Sequence, residues 1–425
     1  MKSQHHDLIL AISTVVLGVG VGFASLLLGL IAEAIVHLFL NFTETAAQPV
    51  AWAAGSTRRL VSLLIGGCLA AVIWYLMRRR MRPTVSIAQA LLEKKEMPPA
   101  TTTVHVLTQI LYVSVGGSVG RELAPRELGA MLAQSWERVL HKMRAITLSE
   151  EDRRLLIAAA AGAGFAGIYL SPLTGTMFAL ELLLKKADLR AVLVSLPMAV
   201  IAMLIGSLHR GFAAYYALGG GAFDWRVALI AVVLGPVCGV VGALFRMGFR
   251  WATLHSTRDK NLLWQLPLMA AITGLIAMQM PQIMGNGRAL AEPAMTNTQA
   301  NLIGFFLLAA LAKALVTVFT LRAGAAGGTL TPSIAIGGVL GMTAGIALAQ
   351  LGLGLPIWQV AVLGAASLLA ASQQAPLMAM FMLFEVSHLH PTALVPLAIG
   401  TFLAWLVARA CLSKWQSAPK PKPIQ

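Results

Sequence analysis

The sequence predicts an all-α polytopic membrane protein, and three observations predict it. Hydrophobic residues make up 58% of the 425-residue chain and charged residues only 12%, about half the charge of a soluble domain. Many apolar runs reach the roughly 18 residues that a helical span needs. The same order of small residues, proline, large apolar residues and glutamate occurs twice along the chain.

In order, the apolar runs cover 8–40, 60–77, 104–120, 155–184, 191–208, 227–249, 262–280, 302–321, 334–353, 360–384 and 394–411. The first is too long for a signal-peptide core and has no convincing cleavage site, so it is read as retained. Several runs exceed one span, so each of these has room for two tilted or broken helices. Before the 155–184 run, Ser149-Glu150-Glu151-Asp152 predicts an N-cap followed by an acidic first turn. Residues 1–425 are expected to form one transmembrane domain, multi-pass in the inner (plasma) membrane of the cell. The tail 413–425, with Pro419-Lys420-Pro421-Lys422-Pro423, is expected to be disordered and cytoplasmic, with no regulatory domain after it.

The formal charge is +15. A nucleic-acid surface is one reading of it; the positive-inside rule is the one that suits this composition. Basic residues gather at the edges of spans: Arg78-Arg79-Arg80, Arg82, Arg153-Arg154, Lys185-Lys186, Lys414, Lys420 and Lys422. These ends are expected to face the cytoplasm. Cys68, Cys238 and Cys411 lie singly within apolar runs, with neither a disulfide framework nor metal-ligand spacing. No cofactor or metal is expected.

The internal repeat is clearest between GAGFAGIYLSPLTGTMFALEL (162–182) and ASLLAASQQAPLMAMFMLFEV (366–386). Setting Pro172 on Pro376 also sets Glu181 on Glu385. Ala124-Pro125 and Thr331-Pro332 form a second matching pair. Chance likeness between apolar segments explains matching sizes, but less easily a proline and a glutamate at the same offset. Repeat 1 is placed at about 8–215 and repeat 2 at about 224–412, divided where Leu218-Gly219-Gly220-Gly221 interrupts the hydrophobicity. Repeats of this kind place a transport site at their interface.

The residue of greatest interest is Glu122, in Gly116-Gly117-Ser118-Val119-Gly120-Arg121-Glu122-Leu123-Ala124-Pro125. A carboxylate at bilayer depth is costly and by default marks ion or proton movement. Glycines before it and a proline after it predict a broken backbone. A helix start inside the membrane offers free N–H groups and partial positive charge, which suit an anion. A second such start is Gly324-Ala325-Ala326-Gly327-Gly328-Thr329-Leu330-Thr331-Pro332. Singly, a Gly-rich break is more often a packing surface or a kink. The repeat makes the two segments equivalent, and so able to point at one midplane site.

Gly120-Arg121-Glu122-Leu123-Ala124 resembles the GREGP motif, and Gly328-Thr329-Leu330-Thr331-Pro332 the GxFxP motif, of the CLC family of anion channels and anion/proton antiporters. The segment SPLTGTMFALEL is similar to that family's proline-to-glutamate helix, and Met284-Gly285-Asn286-Gly287 to one of its glycine loops. The resemblance implies a bundle of tilted and broken helices in two inverted repeats, working as a homodimer that moves a halide anion and protons across the lipid bilayer. It implies that Glu122 is the gating and proton-carrying glutamate. It further implies an anion bound by the backbone N–H groups of Thr329 and Leu330, with Gly328 and the Thr331 hydroxyl beside them, and an outer site around Gly120 and Arg121.

Departures from the family pattern refine this. The GSGIP motif is absent, and Met81, within Arg80-Met81-Arg82-Pro83-Thr84, stands at or beside the position of its anion-contacting serine. No tyrosine follows Tyr216, so the usual C-terminal tyrosine is missing, and Leu182 takes the place of the inner proton-relay glutamate. Methionine at the serine and no relay glutamate resemble the family's fluoride-exporting branch. Fluoride/proton exchange is therefore preferred slightly to chloride/proton exchange, with a passive gated chloride channel of the same fold as the alternative.

Other candidates receive plainer readings. Glu181 and Glu385 are expected to bond nearby backbone. Glu127 is either a proton relay or, more simply, paired with Arg126 or another cation. His105, His141 and His209 are expected at interfaces, and Trp52, Trp74, Trp225, Trp251, Trp264 and Trp405 in aromatic belts. An intramembrane hydrolase would need a nucleophile with its base or paired metal ligands; the chain has no HExxH and no serine–histidine elbow. A cation-coupled transporter of organic solutes would need midplane carboxylates and a larger cavity.

Overall fold

The structure, a computed structural model, describes residues 2–45, 48–143 and 148–417. Sixteen α-helices follow in order: α1 (Lys2–Leu40), α2 (Ser56–Arg80), α3 (Ile87–Leu92), α4 (Pro99–Ser114), α5 (Leu123–Lys142), α6 (Glu150–Tyr169), α7 (Pro172–Met177) and α8 (Leu189–Arg210) make the first half. The second comprises α9 (Arg226–Leu254), α10 (Leu262–Gln279), α11 (Arg288–Thr296), α12 (Ile303–Arg322), α13 (Leu330–Gln350), α14 (Ile357–Gln373), α15 (Pro376–Val386) and α16 (Leu394–Ser417). Eight of the described helices are long and apolar enough to cross a membrane. The fold is all-α and multi-span, as the sequence predicts.

Two of the long apolar runs break where their prolines stand. Helix α6 stops at Leu170 and α14 at Gln374, both left-handed, with φ of 53° and 59°. Ser171 and Ala375 then leave helical geometry, and Pro172 and Pro376 open α7 and α15. Proline suits these first turns because its missing N–H has no intrahelical partner there. A π-helical turn, Phe178–Leu184, continues α7. By contrast, the run at 8–40 is one unbroken helix, and the 334–353 run starts earlier, at Leu330.

Each broken pair is tied to the other half. Glu385 of α15 accepts from the backbone N–H groups of Leu173 (2.8 Å) and Thr174 (2.7 Å) and from the Thr174 hydroxyl (2.6 Å) at the start of α7. Glu181 accepts from the N–H groups of Leu377 (3.2 Å) and Met378 (2.8 Å) at the start of α15. The two glutamates are structural, but the backbone they bond belongs to the opposite half. These contacts satisfy donors that a helix start leaves orphaned.

Burial runs from centre to rim. Residues 155–169 of α6 and 359–372 of α14 are buried throughout. Small residues permit this: a Cβ on Gly164 would strike the Pro125 carbonyl of α5, and one on Gly364 the Gly337 carbonyl of α13. Outward-facing Leu229, Val232 and Val233 of α9, and Leu308 and Leu311 of α12, are exposed, as apolar side chains facing lipid should be.

One end of the bundle is laced by charge. Lys94 pairs with Glu150 (3.2 Å), Arg153 with Glu137 (3.0 Å), Lys186 with Glu151 (2.9 Å) and Arg190 with Asp152 (2.8 Å). Ser149 caps α6, accepting from Asp152 N–H at 3.1 Å. Lys142 ends α5 at this same face, where a cavity of about 470 Å³ is lined by Glu96, Gln134, Glu137, Arg138, Lys142 and Arg153, among others.

Some sequence expectations are corrected. The tail expected from 413 is helical through Ser417, and 418–425, with Lys420 and Lys422, lies outside the described residues. Trp74 is not in an aromatic belt but fully buried, and His105 is buried beside it. All three cysteines are free.

Candidate functional site

The site forms where two loops meet. Gly120 and Gly328 pair as an antiparallel bridge, Gly120 N–H donating to Gly328 O (2.7 Å) and Gly328 N–H to Gly120 O (2.8 Å). Among the described residues this pairing belongs to no strand. It fixes the starts of α5 and α13 against each other, so the two glycine-rich breaks do converge.

Glu122 lies at this junction as the N-cap of α5, with no exposed surface. Its Oε1 accepts from Leu330 N–H at 2.7 Å, and its Oε2 from the Thr331 hydroxyl at 3.4 Å. The carboxylate fills the space over both glycines: a Cβ on Gly120 or Gly328 would collide with it. Close approach of a charged group to backbone is the physical reason for glycine at these positions. The donors it uses, a helix-start N–H and a hydroxyl, are of the kind that bind small anions.

Neighbouring groups hold the donors in place. The Tyr169 hydroxyl is 3.2 Å from Thr331 Oγ1, and Gln373 Nε2 donates to Thr329 Oγ1 at 3.2 Å. Ser333 donates to Thr329 O at 2.7 Å. Arg126 Nε donates to Glu122 O at 2.7 Å.

Beyond Glu122, away from the charged end, a cationic and aromatic group forms the approach. Arg121 is 7% exposed, with its guanidinium 5.8 Å from the Tyr169 ring and 5.5 Å from the Tyr215 ring. Arg288 stacks at 4.3 Å on Tyr215, whose hydroxyl accepts from Asn286 Nδ2 at 2.8 Å. Arg288 also bonds Glu292 (3.0 Å) and Glu44 (3.3 Å). Arg121, Glu44 and His209 line an open cavity of about 560 Å³ on this side. The glycine loop at 284–287 is tied in by Lys313, fully buried, whose ammonium donates to Ile283 O (3.0 Å) and Gly285 O (2.6 Å).

Of the residues singled out by sequence, Gly120, Glu122, Gly328, Leu330 and Thr331 come into direct contact, with Arg121 and Thr329 adjoining. Met81 makes no hydrogen bond with them among the described residues, but it packs on the apolar cluster that holds Val119, the neighbour of Gly120. It caps the far end of α2, partly buried in an apolar cluster with Trp74, Met77, Ala323 and Ala325. Glu127 accepts from Gln109 Nε2 at 2.7 Å and faces His105 Nε2 at 3.7 Å, and it makes no ion pair with Arg126 among the described residues. Sequence reasoning missed Tyr169 and Gln373. The signal was present: each stands three residues before its repeat proline, Pro172 or Pro376, and so ends the helix that points into the junction. A tyrosine therefore does reach the site, from the first half of the chain.

Comparison with known proteins agrees with this architecture. Residues 66–409 match the family described as voltage gated chloride channel. The voltage-gated ClC-type chloride channel ClcB of Citrobacter koseri is 30% identical over 372 residues, covering 82% of this chain and 84% of the relative. The protein of the same name from Escherichia coli O81 is 28% identical over 408 residues, covering 90% and 92%. Among solved structures, a slow cyanobacterial Cl-/H+ antiporter superposes with a TM-score of 0.78 at 21% identity, covering 94% of each chain. A CLC-type fluoride/proton antiporter superposes with a TM-score of 0.72 at 25% identity, covering 95% of this chain and 96% of the other. With its family match across most of its length and the fold of those antiporters around Glu122, the chain belongs to the CLC, or voltage gated chloride channel, family.

Proposed function

We propose that this chain is a proton-coupled halide antiporter of the inner (plasma) membrane, and that Glu122 both gates the anion path and carries the proton. The observation behind this reading is the Glu122 carboxylate resting on the Leu330 N–H, at the start of α13. A halide suited to that N–H and to the Thr331 hydroxyl competes with the carboxylate for the same donors. Hydrogen bonds to a charged group are worth about 1.5–3 kcal/mol each, so the exchange is close enough in energy to run both ways. Protonation removes the charge that holds Glu122 on these donors, and an arriving anion favours the protonated acid. The two ligands are thereby linked through one set of hydrogens.

In this proposal Gly120 and Gly328 leave room for either occupant, Thr329 and Leu330 supply central N–H donors, and Arg121 draws anions into the outer approach. Met81 belongs to the proposal only as part of the inner approach. Two repeats, about 8–215 and 224–412, are read as inverted halves, a reading supported by their reciprocal glutamate contacts. The protein is expected to act as a homodimer with one path per subunit, which cross-linking in native membrane tests.

The test is flux in proteoliposomes, with protons and halide followed together. A chloride or fluoride gradient should drive protons against their own gradient, and comparing the two halides identifies the ion. Glu122→Gln should abolish proton movement while halide still passes. Undiminished coupled proton flux in that variant would refute the assignment. The relatives' name as chloride channels is the ground for a second reading, passive gated conduction, and halide flux without proton movement in the unaltered protein would establish it.

A further inference from the structure

Antiport needs a proton route from the charged end of the bundle to Glu122, and the position resembling the family's inner relay holds Leu182 in the π-helical turn. We infer that Glu127, bonded by Gln109 and facing His105, is the inner proton-holding group that serves Glu122. The inference rests on the antiport reading above.

Placement comes first. Glu127 lies five residues beyond Glu122 on α5, about 7.5 Å along the helix axis. About two to three further turns along α5 come Gln134, Glu137 and Arg138, which line the cavity at the charged end. Glu127 is thus an intermediate station on one helix between that cavity and the site.

Its surroundings suit a group that gains and loses a proton. Glu127 is 8% exposed. Gln109 Nε2 donates to its Oε2 at 2.7 Å, while Gln109 Oε1, on a residue 2% exposed, has no partner among the described residues. A primary amide answers both forms of a carboxyl group. Its NH2 donates to the ionised form, and after a flip its oxygen accepts from the protonated one. The orphaned oxygen is the half of the amide that a protonated Glu127 would use.

His105 does not carry the proton itself. Its Nδ1 accepts from Trp74 Nε1–H at 3.1 Å, and indole only donates. A neutral His105 therefore keeps its own hydrogen on Nε2, which faces Glu127 Oε2 at 3.7 Å. Trp74, fully buried, fixes that tautomer. Two guanidinium groups act on the pair, Arg126 on Glu127 and Arg78 on His105. Arg126 is committed to Glu122 O, and Arg78 to Thr257 O (2.9 Å) and Gly324 O (2.8 Å).

The step balances simply. The O–H bond of protonated Glu127 breaks to a bridging water, which in turn gives a proton to the Glu122 carboxylate, the negative charge moving the opposite way. Glu127 is then reprotonated from water of the charged-end cavity. His105 and Trp74 are positioning residues.

Proteoliposome flux with proton and halide measured in parallel tests this, using the unaltered chain, Glu127→Gln and Glu127→Asp. In Glu127→Gln, proton flux should fall at least about tenfold while halide flux persists, so that the proton-to-halide ratio collapses. Glu127→Asp, which keeps a carboxyl group, should recover much of the ratio. An unchanged ratio in Glu127→Gln overturns the inference and leaves the antiport proposal standing. Equal loss of both fluxes in Glu127→Gln and Glu127→Asp assigns the pair a structural role and also overturns it. Absence of proton movement in the unaltered chain defeats both proposals.

Discussion

At the residue scale, two glycines and one glutamate share a volume too small for anything more. Adding a methyl group at Gly328 puts it into the Glu122 carboxyl, so Gly328→Ala should push the side chain off the Leu330 N–H. Losing that charge-assisted bond removes about 1.5–3 kcal/mol from the closed arrangement. The expected outcome is faster halide flux with a weakened dependence on pH, read in liposomes between pH 5 and 8. Flux that keeps its wild-type pH profile would show that the carboxylate does not rest on those donors. This part of the site was legible in the sequence because a carboxylate within an apolar, glycine-broken run is too costly to persist without a task. Tyr169 was hidden because nothing in its own neighbourhood distinguishes it from a core aromatic. Only its register against Gln373 reveals that both end helices aimed at Thr329 and Thr331. The surroundings of Glu127 were hidden for a different reason: consecutive helical residues diverge around the axis, and the groups it meets, Gln109 and His105, stand on α4, distant in sequence.

At the scale of elements, the proline-started helices depend on carboxylates from across the molecule. Glu385 satisfies two N–H groups and a hydroxyl, all at 2.6–2.8 Å, whereas Glu181 satisfies two N–H groups, one of them at 3.2 Å. Removing a cap costs about 0.5–2 kcal/mol, and a buried donor left unpaired about 1–3 kcal/mol. Glu385→Ala should therefore lower the thermal midpoint in detergent more than Glu181→Ala, and Glu385→Gln should cost less than Glu385→Ala. Equal midpoints for the two alanine variants would contradict this ranking. The breaks themselves could be read from Pro172 and Pro376. The caps could be placed in the right register, but their targets could not, because hydropathy fixes where a helix stops and not which helix it meets.

At the scale of the whole molecule, the charged end and the glycine-rich link between halves lie on opposite faces. Helix α8 begins beside Lys186 and Asp188 and runs 22 residues to Arg210, about 33 Å, before the link at 211–225. If the basic ends are cytoplasmic, a cysteine at Gly220 should react with a membrane-impermeant maleimide in intact cells. A cysteine at Lys142 should react only after permeabilisation. Both variants need a background lacking Cys68, Cys238 and Cys411, and the opposite labelling pattern would reverse the assigned orientation. The positions of the long apolar helices were legible because lipid imposes length rules on a crossing helix, but eleven apolar runs resolve into eight described helices of spanning length. How the helices pack was not legible, since small residues allow many close pairings of similar energy. The crossed glutamate contacts also bear on biosynthesis. While the ribosome is still making the second half, Leu377 and Met378 do not exist, and Glu181 waits in the membrane without a counterpart. A chain halted before Leu377 thus leaves Glu181 without these two donors, and both clasps close only once synthesis has passed Glu385.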